Sequence, residues 1–440
     1  MRASFDTLTD DLRKLLSPGE AFTAWFQGET SDFVRMNQGK VRQPGSVAQR
    51  ALFIDLIQGQ RHAGGTFAIS GEPAVDRERL QAMVGSLRAA LPHLPEDPFL
   101  LYHQSAVQTE LVADDTLPDA GEVTARVLDG ARGLDFVGIY AAGRVYRGFA
   151  SSFGQKNWFE RASFHLDFSL YLRADKAVKS AYAGENWQDD AFLARLQAAR
   201  ADLDVIARPP RTIEPGAYRV YLAPAAVAEI LTVLSWGGFG LKSHRTKQTP
   251  FLKMLSGDAR LADIVTLSEN TAQSTGPAFS ASGFMKPPRV PLIDRGKYAG
   301  TLCSPRSAKE YGVETNGARD DEAPQALDFA PGNVPSGEVT ARLDTGIYVN
   351  NLWYLNFSDR PAGRITGMTR FATLWVEHGR IVAPLNVMRF DETVYRMLGE
   401  NLLGLTQERD FILDNDTYGQ RSTSCAWVPG ALVRDMRFTL

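Results

Sequence analysis

The sequence predicts an α+β protein of two domains: an N-terminal antiparallel sheet with helices, and a C-terminal, mainly β part with a twisted or barrel-like sheet. Three observations carry this. Between Trp158 and Ala174, Ala162, Phe164, Leu166, Phe168, Leu170 and Leu172 recur at every second residue, the period of a half-buried strand. The stretch Ala207 to Gly216 holds Pro209, Pro210 and Pro215, which can neither continue a helix nor sit inside a sheet. Beyond Arg289 the chain reads as a succession of short strands. The proline stretch divides the chain into domains at 1–208 and 217–440.

Taken in order, Phe5, Leu8, Leu12, Leu15 and Leu16 share one side of a short amphipathic helix. Asp6, Asp10 and Asp11 stand where a signal peptide needs an apolar run. Arg50–Ile57 and Gly65–Ile69 read as a hairpin, Arg77–Leu91 and Gly121–Ala131 as helices, and Leu134–Ala150 as a long strand. The alternation through Trp158 to Ala174 puts His165 on the outer face. Ala191–Ile206 is a strong helix, with Asp189 and Asp190 placed to cap its free N–H groups. After the boundary come a strand at Arg219–Leu222 and a helix from Ala225 to Trp236, opened by Pro224. Strands are expected at Arg289–Ile293, Lys297–Leu302, Glu338–Leu343, Gly346–Leu355, Phe371–Glu377, Arg380–Met388, Phe411–Leu413 and Ala431–Phe438. Asp320–Gly337, rich in acids and prolines, reads as an exposed loop.

A formal net charge of -3, with Lys and Arg scattered, leaves no broad basic footprint for nucleic acid. Two cysteines, Cys303 and Cys425, exclude a disulfide scaffold and favour a reducing compartment. No stretch approaches the roughly 20 apolar residues of a membrane span. Together these favour the cytoplasm, with export by a receptor-read route left open.

The chemistry-bearing residues form no recognisable catalytic set. His62, His93, His103, His165, His244 and His378 are too far apart in sequence for a helix-borne metal pair. There is no G-x-S-x-G elbow, and a Cys–His nucleophile lacks a partner. The run Gly237-Gly238-Phe239-Gly240-Leu241-Lys242-Ser243 follows a helix and not a strand, so it reads as a helix C-terminus and not a phosphate loop. Asp414-Asn415-Asp416 resembles part of a calcium loop, but Tyr418 occupies its third ligand position. The densest segment is Gly346 to Arg370, where Asn350, Asn351, Trp353, Tyr354 and Asn356 crowd one strand. Amides and aromatics of this kind suit an extended peptide backbone; a strand with one polar face accounts for them equally well.

The same segment carries a family resemblance. Gly346-Ile347-Tyr348-Val349, then Gly363-Arg364-Ile365-Thr366-Gly367, then Phe371 to Ile381 with Trp375-Val376-Glu377-His378-Gly379-Arg380-Ile381, resemble the C-terminal signature of the TldD/PmbA proteins, once described as modulators of DNA gyrase. Tyr298 to Leu302 and Ala308 to Gly312 resemble its upstream linker, and the domain order matches. The resemblance implies a metallopeptidase-related protein that acts in pairs on unfolded peptides. One kind of member carries a zinc-binding H-E-x-x-x-H motif on the helix early in the second domain and a cysteine ligand near the C-terminus. The PmbA or TldE kind lacks these ligands. Here Thr232, Val233 and Gly237 fall where the catalytic kind has its first His, its Glu and its second His, and Cys425 falls near the cysteine position. The resemblance therefore implies a substrate-binding or structural subunit without cofactor or catalytic residues of its own. Its partner is a TldD-type chain or a second copy, and Asn350, Asn351, Trp353 and Arg364 are its candidate peptide-binding residues. The alternative is a free-standing hydrolase or metallopeptidase whose site is not recognisable, in which Cys425 or the scattered histidines form an unusual metal centre.

Overall fold

The computed structural model describes residues 1–173 and 176–439. The N-terminal part runs α1 (Arg2–Leu15), β1 (Glu20–Asn37), β2 (Lys40–Gln58), β3 (Arg61–Ala68), α2 (Pro73–Ala90), β4 (Gln108–Val112), α3 (Ala120–Gly130), β5 (Asp135–Ser151), β6 (Lys156–Arg173), β7 (Lys176–Gly184) and α4 (Asp189–Ile206). The seven strands form one sheet in the order β3-β2-β1-β5-β6-β4, with β7 also on β6. All pairings are antiparallel except β4 with β6. One face is apolar and carries the helices. Phe5, Leu8 and Leu12 of α1 and Leu80 and Val84 of α2 pack on Phe22, Phe26 and Leu52. Phe192, Leu196 and Leu203 of α4 pack on Phe136, Phe164 and Phe168. Each such fully buried side chain contributes about 1.5–3 kcal/mol.

The C-terminal part runs β8 (Gly216–Leu222), α5 (Pro224–Ser235), α6 (Leu241–Arg245), α7 (Leu252–Leu255), β9 (Leu267–Glu269), β10 (Val290–Asp294), β11 (Lys297–Tyr298), α8 (Pro305–Tyr311), β12 (Ala326–Phe329), α9 (Val339–Leu343), β13 (Gly346–Asp359), β14 (Arg364–Glu377), β15 (Arg380–Pro384), β16 (Arg389–Thr393), β17 (Leu402–Leu413) and β18 (Cys425–Phe438). These form an 11-stranded mixed sheet. The pairings β18–β16, β16–β14, β14–β13, β13–β8 and β8–β18 close on themselves, so part of the sheet is a barrel, as its short strands predict. α5 packs on β13 and β18 through Ala226, Val227, Ile230, Leu231 and Leu234, all at most 2% exposed. The two sheets share no strand among the described residues. The connection between them lies along the second sheet, where Arg211 N–H donates to Pro384 O at 2.8 Å. The core under α4 nevertheless spans both parts, because Ala372 and Leu374 of β14 belong to it.

Several expectations are corrected. Glu338–Leu343 is helical, because Val339 and Leu343, four residues apart, are both buried on one side of a turn that follows Pro335. Lys297–Leu302 is a strand only over Lys297–Tyr298. Asp320–Gly337 is not an exposed loop throughout: it contains the fully buried β12, and Glu322 is buried because its carboxylate accepts the N–H groups of Lys242 and Ser304. Asp189 makes no cap bond to α4; its carboxylate accepts from Trp187 Nε1 at 2.7 Å and from Arg126. His165 does point away from the helices, but it is 3% exposed, since the second face of the N-terminal sheet is also covered.

Candidate functional site

The covering of that second face starts from polar side chains. Glu29 and Ser31 of β1 and Ser163 and His165 of β6 face the C-terminal part. Arg421, in the segment between β17 and β18, reaches into them and is 1% exposed. Its Nη2 donates to Ser163 O at 2.6 Å and to Ser163 Oγ at 2.7 Å, its Nη1 donates to Gly143 O at 2.9 Å, and its own N–H donates to Glu29 at 3.2 Å. Among the described residues His165 beside it finds no hydrogen-bond partner for either ring nitrogen. Burial, with the Arg421 charge added, pushes His165 down to about 4, so the imidazole is neutral at physiological pH.

α5 ends at the helix position where the catalytic motif of the resembled family would lie. Thr232 is exposed and its hydroxyl donates back to Ala228 O at 2.9 Å. Val233 is 2% exposed and belongs to the C-terminal core. Gly237 lies past the end of the helix at φ 86, a left-handed residue that lets the chain turn off after Trp236. These side chains offer neither an imidazole nor a carboxylate, so they do not fit a zinc ion. His244 comes close to this helix end, but its Nε2 is bonded to Gly238 O at 2.7 Å. His62 pairs with Asp55 at 3.0 Å, which holds its pKa up, and His378 sits exposed in the β14–β15 turn. Cys303 and Cys425 are buried, and burial raises both thiols above their ordinary range. Among the described residues no three His, Cys, Asp or Glu side chains come together in a way that could hold a metal.

The residues of β13 divide. Asn350 Nδ2 donates to the Asp202 carboxylate of α4 at 3.2 Å, so it faces the N-terminal part. Asn351 is 8% exposed and its Oδ1 has no hydrogen-bond partner among the described residues. Trp353 is 45% and Tyr354 77% exposed. Tyr354 sits at φ 58 in a bulge where the β13–β14 register shifts, and Phe371 at φ 57 marks a second bulge on β14. The Arg370 guanidinium lies 4.4 Å from the Trp353 ring centre and 5.5 Å from that of Phe371. Arg360 lies 4.7 Å from the Phe357 ring, and its Nη1 donates to Trp236 O at 2.8 Å, tying the end of α5 to the β13–β14 turn. Arg364 pairs with Asp391 at 3.2 Å. The outward surface is thus a row of aromatic rings with stacked arginines, suited to hold polypeptide by stacking and hydrogen bonds. It brings Trp353 together with Tyr354, Arg370 and Phe371, and leaves Asn350 and Arg364 engaged elsewhere. Sequence reading missed Arg360, Arg370 and Trp236; for the two arginines the signal was their place in the aromatic segment, and for Trp236, far away in sequence, there was none.

No helix among the described residues is long and apolar enough to cross a membrane. Residues 215–440 match the family profile described as the PmbA/TldA metallopeptidase C-terminal domain. No curated protein matches the chain by sequence. Among solved structures the chain is similar to TldE from Thermococcus kodakarensis, with TM-score 0.80 and 12% identity, covering 99% of this chain and 100% of that one. It is similar to a proposed modulator of a DNA gyrase from Thermotoga maritima, with TM-score 0.79 and 12% identity over 99% and 100% of the two chains. It is also similar to a proposed modulator of DNA gyrase from Bacteroides thetaiotaomicron, with TM-score 0.75 and 14% identity over 100% and 98%. At such identities the likeness carries the fold alone.

Proposed function

The chain belongs to the PmbA/TldD family of metallopeptidase-related proteins, and we propose that it is a subunit of the TldE kind, one that binds peptide without carrying the catalytic metal. The single observation behind this reading is the end of α5. There Thr232 points to solvent, Val233 is built into the core, and Gly237 has left the helix. A zinc peptidase needs ligands and a general base at such a place. In this reading a TldD-type chain supplies them, and the pair acts on unfolded peptides in the cytoplasm. The Trp353–Arg370 surface helps to hold the peptide.

Co-expression with a TldD-type protein from the same genome tests it. The two chains are expected to co-purify with one zinc per pair, and the isolated chain is expected to cleave no unfolded peptide. Trp353→Ala and Arg370→Ala should weaken peptide cleavage by the pair while leaving assembly intact. Zinc-dependent cleavage by the isolated chain would instead favour a free-standing hydrolase.

A further inference from the structure

In the N-terminal sheet part of β2 is left as an open edge. β2 pairs with β1 along its whole length, but β3 covers its other side only from Ala51 to Gln58. Beyond β3 the chain turns away at Ser70, whose carbonyl accepts from Arg50 Nη2 at 3.3 Å. No described strand lies along Val41–Gln49 in its place. The Ile69 N–H donates to Arg50 O at 3.0 Å, so the backbone groups of Arg50 point to the outer side. In an antiparallel ladder the N–H and C=O of one residue point the same way and alternate along the strand. The register with β1 is unbroken from Gln43 to Ala51, so Ala48, Ser46 and Pro44 point outward too. Pro44 agrees, because a proline belongs where no ladder bond is needed. The N–H and C=O groups of Ser46 and Ala48, and the C=O of Pro44, are therefore free on an exposed strand.

A second observation lies beside this edge. A groove of about 490 Å³ runs between β2 and α3, and its apolar lining includes Val34, Val41, Pro44, Ala125 and Leu128. Val41 is 43% exposed. Its two carboxylates are engaged: Asp32 accepts from the Ser46 hydroxyl, and Asp119 accepts from the first N–H groups of α3. Cations stand at both ends of the open stretch, Lys40 and Arg42 at the tip and Arg50 where β3 leaves.

We infer that the Val41–Gln49 edge takes up an extended polypeptide segment as an added strand, with an apolar side chain over the groove and acidic side chains toward Lys40, Arg42 and Arg50. Free backbone groups supply affinity in strand addition, and the alternate side chains select the sequence. Charge decides against a second copy of this edge: pairing about a two-fold axis at Ser46 would set Arg42 opposite Arg50 of the other copy. The site lies on the N-terminal sheet and does not depend on the peptidase reading.

The test uses the full chain and a fluorescein-labelled peptide, Glu-Glu-Val-Thr-Val-Glu-Glu, followed by anisotropy and by hydrogen exchange. Binding is expected to slow exchange at the Ser46 and Ala48 amides. Backbone N-methylation of the peptide at alternate residues, or replacement of its Glu by Lys, should weaken binding by about tenfold or more. Ala48→Pro should do the same while leaving the urea midpoint unchanged, because it removes only an outward N–H. The inference falls if the peptide fails to bind at about millimolar concentration. It also falls if the N-methylated or Lys peptide binds equally well. Protection of the Ser46 and Ala48 amides in the peptide-free protein would mean another copy already holds the edge, and would overturn it as well.

Discussion

Asp202 offers the clearest perturbation. It lies near the C-terminal end of α4, where the helix dipole disfavours a negative charge. Its one side-chain hydrogen bond comes from Asn350 across the junction between the two parts. Burial outweighs that bond and pushes the carboxyl up from 3.8 to about 6. That rise corresponds to about 3 kcal/mol, which partial contact with water reduces to about 2 kcal/mol. The sign follows from proton binding. A carboxyl whose folded pKa is raised binds its proton better when folded, so this position costs stability as pH rises through the interval from 3.8 to about 6, with the full cost above it. Asp202→Asn cannot ionise and removes that cost. Urea unfolding of the two proteins between pH 4 and pH 7.5 is the assay. The variant's advantage should be near zero at the acid end and grow to about 2 kcal/mol above pH 6. An advantage that does not change with pH, or one that shrinks as pH rises, would refute the assignment of a buried, reluctantly charged Asp202.

Arg421→Ala should cost about 3–5 kcal/mol, because it removes a buried guanidinium that satisfies Ser163 and Gly143 and offsets the charge of buried Glu29; urea midpoints check this, and the segment around it should become cleavable in limited proteolysis. His165, held down at about 4, stays neutral in the fold while the unfolded chain takes up a proton near 6.5, so its contribution is intact above pH 6.5 and is lost as pH falls toward 4. His165→Gln should therefore flatten the acid side of the stability profile, by at most about 3 kcal/mol at pH 4, and an unchanged slope would count against it. We propose that the junction after α4 separates two domains, with Arg208 and Arg211 exposed in it. Brief trypsin treatment should cut after Arg211, since Arg208 precedes Pro209, and give fragments near 1–211 and 212–440 that co-elute, because Ala372 and Leu374 tie β14 into the α4 core; fragments that separate on a sizing column would contradict that shared core.

The strands that were legible in the sequence are those whose two faces differ. β6 alternates cleanly because one side meets α3 and α4, and the period of two holds from Ala162 to Leu170, broken at the in-phase Glu160. β1, equally long, was missed. Its middle, Gly28 to Asp32, is polar, and Glu29 and Ser31 are buried by hydrogen bonds and not by apolar packing. His165 reads as solvent-facing for the same reason, since the residue that covers it, Arg421, bonds the neighbouring Ser163 from 258 positions further along the chain. Local pattern cannot announce a lid that arrives from so far away. β12 was hidden differently: four buried residues sit inside a stretch whose acids and prolines dominate any composition window.

The candidate site follows the same logic, and it separates what a motif position is from what it does. The family resemblance groups Thr232, Val233 and Gly237 as one expected motif, yet the fold scatters them to solvent, core and turn. Val233 is the decisive member. Placing an ionised carboxylate at a 2% exposed position among Val220, Leu222 and Ile230 would cost several kcal/mol without a paired charge. So restoring the catalytic residue types one at a time cannot rebuild a metal centre here; the helix end is committed to packing. What this end still presents outward is Trp236, fastened by its carbonyl to Arg360 and through it to the β13–β14 turn. In the proposed reading this helix end serves as contact surface, and the metal site is supplied by the partner chain.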